Sequence, residues 1–265
     1  MDSTREDVLI LGSSRAEHHF VPNIINEGEN YSVYNCGVGG EDLLFSGIQL
    51  KESLKRYKPK LVVVEVSPSS LFMPDTEQKI KILLPYYQRD SAIFNALTHN
   101  KIAEKIKFAS SIYPYNSTIA SLMLGVFKNN VDTFRGFSPK YGTIDTTGLL
   151  KTVYRGMPNA FPQEKFTHMR HLLNTCQEND IKVVVVNSPV YVTTSNYDAI
   201  SQQIKNISSE YSNTHYIDYS KHDSVYNKVA FFKDNTHLNY KGAVIFSKAL
   251  SNELKGIFHQ TLSKN

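Results

Sequence analysis

Serine, aspartate and histidine, the side chains used in nucleophilic catalysis, occur in two short polar segments near opposite ends of the chain. Ser14 follows an apolar run and precedes a segment with helical spacing, in the sequence Gly-Ser-Ser-Arg at residues 12–15. Asp234 and His237 lie in the sequence Asp-Asn-Thr-His, just before the last helical segment. A serine hydroxyl becomes a nucleophile when an imidazole accepts its proton and a carboxylate orients that imidazole. These residues predict Ser14 as nucleophile, His237 as base and Asp234 as the orienting acid.

Each segment taken alone has a simpler structural interpretation. Ser13 or Ser14 could cap the helix that follows, as serines at such positions usually do. Asp234 could likewise cap the last helix. An aspartate three residues ahead of a histidine can also turn back to accept the Nδ1–H bond, which leaves Nε2 free for a serine proton. The combination of the two segments favours catalysis, because strand order and chemistry then agree.

A glycine-rich turn at residues 35–40, Asn-Cys-Gly-Val-Gly-Gly, follows the second apolar run. Glycines permit unusual backbone angles, and successive N–H groups in such a turn can point at an anion. A plain turn that needs positive φ explains the same residues equally well. A dinucleotide-binding loop fits poorly, because its GxGxxG sequence should follow the first strand.

Five apolar runs rich in β-branched residues are typical of buried parallel strands. They lie at Val8–Leu11, Tyr31–Tyr34, Leu61–Val66, Ile181–Val186 and His215–Ile217. Segments with helical spacing alternate with them, at about Glu17–Asn26, Asp42–Tyr57, Gln163–Asn179 and Asp198–Ser209, with a last helix after Asn239. This alternation predicts an α/β fold with a doubly wound, flavodoxin-like, five-stranded parallel sheet. Ligands of such sheets bind beyond the carboxyl ends of the strands.

The stretch at about 71–160 interrupts this alternation. Its helical stripe and its aromatic residues predict a helical insertion beside the sheet, within a single domain at 1–265. Packing of the core is the favoured role, and a lid over the site or a partner surface is the alternative. The stripe consists of Ile119, Leu122, Met123, Val126 and Phe127, and the aromatics are Tyr86, Tyr87, Phe94, Phe108, Tyr113 and Tyr115.

Composition narrows the function classes. With 41% hydrophobic and 20% charged residues the chain is an ordinary globular protein. A net charge of +4, spread along the sequence, predicts no nucleic-acid partner. Cys36 and Cys176 match no disulfide or zinc pattern, His18 and His19 have no third ligand nearby, and no apolar run is long enough to span a membrane. We therefore expect no metal, no cofactor and no membrane span.

In block order, these segments resemble the SGNH/GDSL-like hydrolase family. Residues 12–15 resemble its first block, residues 35–40 its second, and residues 234–237 its last, with Leu238, Asn239 and Gly242 also fitting. The resemblance implies a three-layer sandwich, Ser14 as nucleophile, and an oxyanion hole that includes the backbone of Ser14 and Gly40. It spans residues 8 to about 250 and leaves the insertion unmatched.

One block departs from the family pattern. The family usually supplies an asparagine side chain to the oxyanion hole after the third strand, where this chain has Ser69. Ser69 and Asn187, which follows the fourth strand, are the candidate replacements. Losing one oxyanion donor can lower the rate about 10²–10³-fold. Arg15 could bind an anionic substrate, but pairing with Glu65 or Asp42 is the favoured role.

The resemblance implies a serine esterase or acyl-transfer enzyme that removes or transfers a small O-acyl group on a carbohydrate, near the bacterial polysaccharide-modifying members. The expected partner is a small-molecule or saccharide ester. The alternative is a non-catalytic polysaccharide-binding or assembly protein on the same fold. A complete chain would be cytoplasmic, whereas loss of a preceding signal or anchor would place it in the bacterial envelope or outside the cell. The sequence does not indicate an oligomeric state.

Overall fold

The computed structural model describes residues 4–71, 87, 91–98, 102–108, 134–145, 163–191, 193 and 196–262. Within them, five parallel strands form one sheet in the order β2-β1-β3-β4-β5. This order confirms the predicted doubly wound, flavodoxin-like sheet. The strands are β1 Val8–Leu11, β2 Val33–Asn35, β3 Leu61–Glu65, β4 Lys182–Asn187 and β5 Thr214–Asp218.

The helices follow the predicted segments with one exception. The predicted helix at Glu17–Asn26 is two helices, because Pro22 lacks the N–H that a continuous helix needs and instead starts a new one. The described helices are α1 Ser14–His19, α2 Pro22–Ile25, α3 Leu43–Leu54, α4 Pro68–Leu71, α5 Ser91–Thr98, α6 Ile102–Lys107, α7 Gln163–Glu178, α8 Tyr197–Ser209 and α9 Tyr240–Leu262, with a 3₁₀ turn at Val229–Phe231.

Alternating side chains of the sheet feed two separate apolar clusters. Val8 and Ile10 of β1 pack with residues of α1, α2 and α9, while Leu9 and Leu11 pack with residues of α3, α7 and α8. Because successive residues of a strand point to opposite faces, a fully apolar strand must be covered on both sides. The result is a three-layer sandwich, as expected.

The sheet order reverses at β1, which lies between β2 and β3. Helix α1 begins at Ser14, three residues after the end of β1. The turn after β2 passes over the start of α1, since the Cys36 N–H donates to the Ile10 carbonyl and the Val38 N–H donates to the Gly12 carbonyl. The polar segments that follow β1 and β2 therefore meet at one edge of the sheet.

The chain divides into two compact units, one formed by Met1–Met73 with Phe134–Asn265, the other by Pro74–Thr133. The sheet lies in the first. In the second, the rings of Tyr87, Phe94 and Phe108 form a cluster, with centroids 5.1 to 6.5 Å apart. The predicted helical stripe at Ile119–Phe127 lies outside the described residues, and the single-domain assignment stays a prediction.

Neither cysteine takes part in a disulfide, and both are buried. Among the helices that the structure describes, none has the length and the apolar character required to cross a membrane.

Gly37 should be essential to the turn after β2. A Cβ at this position would collide with the backbone nitrogen of Glu17 and lie 2.7 Å from the Ala16 Cβ. We expect Gly37→Ala to lower the free energy of unfolding by about 1–3 kcal/mol, the usual cost of overpacking. Urea titration of the purified variant measures this.

Gly47→Ala is the matched control. Gly47 lies inside α3, and a Cβ there would meet nothing within 4 Å. This variant should gain about 0.5–1 kcal/mol, because alanine loses less backbone entropy than glycine in a helix. Equal stability changes in the two variants would contradict the close approach at Gly37.

Candidate active site

Ser14, His237 and Asp234 form a continuous hydrogen-bonded chain. The Ser14 hydroxyl lies 2.7 Å from His237 Nε2, and His237 Nδ1 lies 2.9 Å from each carboxylate oxygen of Asp234. Ser13 is the N-cap residue of α1 and makes no side-chain capping bond, so the capping interpretation of these serines does not hold. The predicted geometry is therefore present, with Nδ1–H donating to the carboxylate and Nε2 available to the serine proton.

Asp234 is held in a tight turn by its own segment. Its Oδ1 accepts hydrogen bonds from the N–H groups of Thr236 and His237, at 3.0 and 2.9 Å. It does not cap the last helix, because Asn239 does so by accepting the Gly242 N–H at 3.1 Å. Partial burial alone would raise the pKa of Asp234, but the hydrogen bond and charge of His237, with the two backbone N–H groups, outweigh it and hold the pKa well below the usual range.

The glycine turn lies beside the serine. A Cβ built on Gly39 would be 3.7 Å from the Ser14 Cβ, and Gly40 has a φ of +85°. The Gly39 N–H donates to Glu17 Oε2 at 2.7 Å, which ties the turn to α1. Within the described part of the chain, the N–H groups of Ser14 and Gly40 have no hydrogen-bond acceptor. Both donors are therefore free to bind an oxyanion.

Asn35 holds the base of this turn. Its amide nitrogen donates to the carbonyls of Ala16 and Phe20 at 2.7 and 2.9 Å, and its Oδ1 accepts the Gly37 N–H at 2.9 Å. The sequence analysis included Asn35 in the glycine-rich turn but assigned its side chain no role of its own. The feature that could have indicated this role is its position at the end of β2, two residues before Gly37.

The two candidate replacements for the family asparagine differ. Asn187 is fully buried, where its amide donates to Ser201 Oγ at 3.1 Å and accepts from the Tyr197 hydroxyl at 2.8 Å. Its side chain is thus engaged inside the fold, and it is not placed to bind a substrate. Ser69 lies in α4 and is half-buried, with its hydroxyl 3.3 Å from that of Ser67. Ser69 stays the candidate of the two.

Arg15 makes the structural pair that the sequence favoured. It is 2% exposed, and its Nε lies 3.3 Å from Glu65 Oε1. The guanidinium also donates to the hydroxyl and the carbonyl of Ser188 and to the Pro189 carbonyl. Burial raises the pKa of the Glu65 carboxyl, and the charge of Arg15 opposes that rise. Because Arg15 is enclosed, it has no access to an anionic substrate. Asp42, the other expected partner, pairs with Lys165 at 2.6 Å.

A segment that sequence reasoning missed borders the site. Residues 134–145, here called the strap, run from β2 to the turn that carries His237. The Asn35 N–H donates to the Arg135 carbonyl of the strap at 3.0 Å. The Ile144 N–H of the strap donates to the Phe232 carbonyl at 2.8 Å. His18 lies 2.7 Å from the Ser138 carbonyl, with its ring 5.4 Å from that of His237. The strap falls inside the stretch interpreted as insertion, where no motif marked it.

A cleft of about 270 Å³ lies next to the start of α1. This volume includes space open to solvent, so the enclosed part of the cleft is smaller still. The lining residues are Gly12, Ser13, Glu41, Asp42, Leu43, Glu65, Ser70, Leu71 and Lys165. Among the described residues, no group of three or more histidine, cysteine, aspartate or glutamate side chains is arranged to hold a metal ion.

Comparison with solved structures agrees with this architecture. A protein assigned to the lipolytic G-D-S-L family, from Desulfitobacterium hafniense, matches over 92% of this chain and 97% of its own, with 12% identity and a TM-score of 0.50. An acetylxylan esterase from Geobacillus stearothermophilus matches over 94% of both chains, with 14% identity and a TM-score of 0.45. Sequence identities this low support an inference about the fold alone. The TM-score of the acetylxylan esterase is too low to support any argument.

The sheet order, the layers and the likeness to the G-D-S-L protein identify the fold of this chain as SGNH/GDSL-like. The family model described as DltD protein matches residues 155–255. That range contains Asp234 and His237 but not Ser14, and it covers less than half of the chain. No curated protein matches the chain by sequence.

The change in the free energy of unfolding at acidic pH should depend on Asp234. A carboxyl whose pKa is lowered by folding stabilises the fold above its unfolded pKa of about 3.9, and this contribution is lost as the pH falls through the lower folded value. We expect Asp234→Asn to be less stable than the wild type at pH 7, with the difference shrinking below about pH 4. Urea midpoints at pH 7, 5 and 3 measure it.

Asp223→Asn, an exposed aspartate in another turn, is the control and should leave the curve unchanged. If Asp234→Asn and the wild type differ by the same amount at all three pH values, the carboxylate is not held as described.

Proposed function

We propose that this protein is a serine acyl-transfer enzyme that acts on esters. The observation that carries the proposal is the hydrogen-bonded chain from Ser14 through His237 to Asp234, with distances of 2.7 and 2.9 Å. His237 would take the proton of Ser14 as the hydroxyl attacks the ester carbonyl carbon. Asp234 would keep the imidazole in the required tautomer and stabilise its charged form.

The reaction proceeds in two halves. In the first, Ser14 Oγ bonds to the carbonyl carbon, the proton on His237 passes to the leaving alcohol, and an acyl-serine forms. In the second, His237 takes a proton from water or from another hydroxyl as its oxygen bonds to the acyl carbon. The bond from that carbon to Ser14 Oγ then breaks, and His237 returns the proton to Ser14. Water as acceptor makes the protein an esterase, and a sugar hydroxyl makes it a transferase. Both outcomes share the first half.

The negative charge that develops on the carbonyl oxygen needs preorganised donors. The free N–H groups of Ser14 and Gly40 are the proposed ones, and the contacts of Glu17 and Asn35 with the glycine turn support this by holding Gly40 in place. Ser69 is the proposed third donor in place of the family asparagine. A hydroxyl has a different reach from an amide, so we expect modest turnover.

A small acyl group on a carbohydrate is the proposed substrate. The small cleft beside Gly12 and Ser13 supports a short acyl chain. The carbohydrate part of the proposal rests on the resemblance of the motifs to polysaccharide-modifying proteins, as a fold alone does not define a substrate.

A non-catalytic binding protein is the competing function. The replaced asparagine of the third block favours it. A binding protein, however, has no physical need for a serine, a histidine and an aspartate joined by hydrogen bonds. The two functions differ in whether Ser14 reacts, which a covalent probe measures.

Ser14 should be labelled by a fluorophosphonate probe, which forms a stable adduct with an activated serine. Ser14→Ala should abolish labelling. Ser14→Ala and His237→Ala should each remove most hydrolysis of p-nitrophenyl acetate. The double variant should be little worse than either single one, because members of such a unit are strongly non-additive. Thermal midpoints of the variants control for unfolding. Variants that keep wild-type turnover would leave the binding protein as the better explanation.

Acyl chain length should discriminate between substrates. Because the cleft is small, kcat/KM should fall from p-nitrophenyl acetate to butyrate and further to octanoate. The three esters share one leaving group, so the comparison isolates the acyl chain. A rise in kcat/KM with chain length would indicate a lipase and would contradict the proposed substrate.

A further inference from the structure

Helix α1 has polar residues on two adjacent sides. Ser14 and His18 are four residues apart and lie on one side, where the Ser14 hydroxyl contacts His237 Nε2 and the His18 ring lies 5.4 Å from the His237 ring. Arg15 and His19 are also four residues apart and lie on the other side, where both are buried. Residues i and i+4 share a helix face. The helix that carries the proposed nucleophile therefore also directs a buried histidine into the interior.

The buried His19 reaches the segment that carries His237. The Leu238 N–H, next in the chain to His237, donates to His19 Nε2 at 3.0 Å. On its other side, His19 Nδ1 lies 2.9 Å from Ser188 Oγ, which in turn lies 3.2 Å from Glu65 Oε1. Because a backbone N–H only donates, Nε2 must be the acceptor and Nδ1 must carry the proton.

The tautomer and the charge of His19 follow from these contacts. His19 Nδ1–H donates to Ser188 Oγ, and the Ser188 hydroxyl in turn donates to Glu65 Oε1. The donor and the acceptor are therefore assigned in both hydrogen bonds. Burial, followed by the charges of Arg15 and His237, lowers the pKa of His19 well below its ordinary value. A neutral ring with an accepting Nε2 is the form that can hold the Leu238 N–H.

The Leu238 N–H is a decisive point of attachment for the turn. Leu238 is fully buried, and it pairs with Phe232 in an antiparallel bridge that closes the turn around Asp234 and His237. The Lys233 N–H donates to the His237 carbonyl at 2.9 Å inside the same turn. The contact with His19 ties the backbone of this closed turn to α1, beside the side-chain contact of His237 with Ser14. The Tyr191 N–H also holds the turn from outside by donating to the Asn235 carbonyl at 3.4 Å.

We infer that His19 is a positioning residue for the proposed reaction: it holds the backbone at Leu238 so that His237 Nε2 stays within hydrogen-bond distance of Ser14. This inference rests on the proposed function for its kinetic consequence. The physical reason is that Ser14 and His19 belong to one short helix, so the nucleophile and the anchor of the base move together.

Two substitutions separate positioning from simple packing. In His19→Gln, the amide oxygen can accept the Leu238 N–H and the amide nitrogen can donate, as the ring does. In His19→Leu, the volume is largely kept but the acceptor is lost. Ser247→Ala is the matched control, since Ser247 Oγ accepts the Val21 N–H at 2.9 Å and donates to the His19 carbonyl at 3.2 Å without reaching Leu238.

The experiment measures kcat, KM and thermal midpoints with p-nitrophenyl acetate. We expect His19→Leu to lower kcat on the order of 10²-fold with KM little changed, because a misplacement of about 1 Å has effects of that size. His19→Gln should recover most of the kcat. Ser247→Ala should lower the thermal midpoint but keep kcat. If His19→Leu keeps wild-type kcat, or if His19→Gln is as slow as His19→Leu, the inference is wrong.

Fluorophosphonate labelling keeps this test separate from the test of the proposed function. If the wild-type chain is not labelled, the proposed function fails, whatever His19 does. In that case a crystal structure of His19→Leu decides the positioning role. A separation of Ser14 Oγ and His237 Nε2 beyond hydrogen-bond distance supports it, and an unchanged separation overturns it.

Discussion

The buried pair of Arg15 and Glu65 connects the start of α1 to the centre of the sheet. Glu65 is the last residue of β3, and its side chain is fully enclosed. Two opposite charges in such a place depend on each other, because removing one leaves an unpaired buried charge, which typically costs about 3–5 kcal/mol. The pair fixes α1 at the carboxyl edge of the sheet. The position of Ser14 on that helix follows from it.

Three further contacts of α1 place the other parts of the site. Glu17 binds the glycine turn through the Gly39 N–H, His18 meets the strap at Ser138, and His19 meets the turn of His237 through Leu238. A six-residue helix thus contacts the glycine turn, the strap and the turn that carries His237. Its short length suits this role, because every side chain of one and a half turns lies close to the edge of the sheet.

The proton-transfer residues of the site have the expected geometry, whereas one of the expected oxyanion donors is replaced. The serine, the histidine and the aspartate have the geometry of a proton-transfer unit, and the N–H groups of Ser14 and Gly40 have no acceptor among the described residues. In the proposed reaction, Ser69 would supply a hydroxyl where the hydrolases that the motifs resemble supply an amide. Transition-state stabilisation depends on donors aimed at the developing charge, so this exchange bears on rate more than on whether Ser14 can react.

The strands, their alternation with helices, and the two segments that carry Ser14, Asp234 and His237 could all be predicted from the amino-acid sequence. These features depend on local pattern: an apolar run forms a buried strand, and an aspartate reaches a histidine three residues on within one turn. The split of the first predicted helix was also local, and Pro22 was the signal that the prediction did not use.

The distant groups that these residues contact could not be predicted, because they depend on the folded arrangement of the chain. It paired Arg15 with Glu65 and not with Asp42, turned Asn187 toward Tyr197 and Ser201, brought the strap to the site, and gave His19 its contact with Leu238. A polar side chain shows in the sequence what it can donate or accept. Its actual partner, which for Ser14 lies 223 residues away at His237, depends on how the sheet order brings strand ends together.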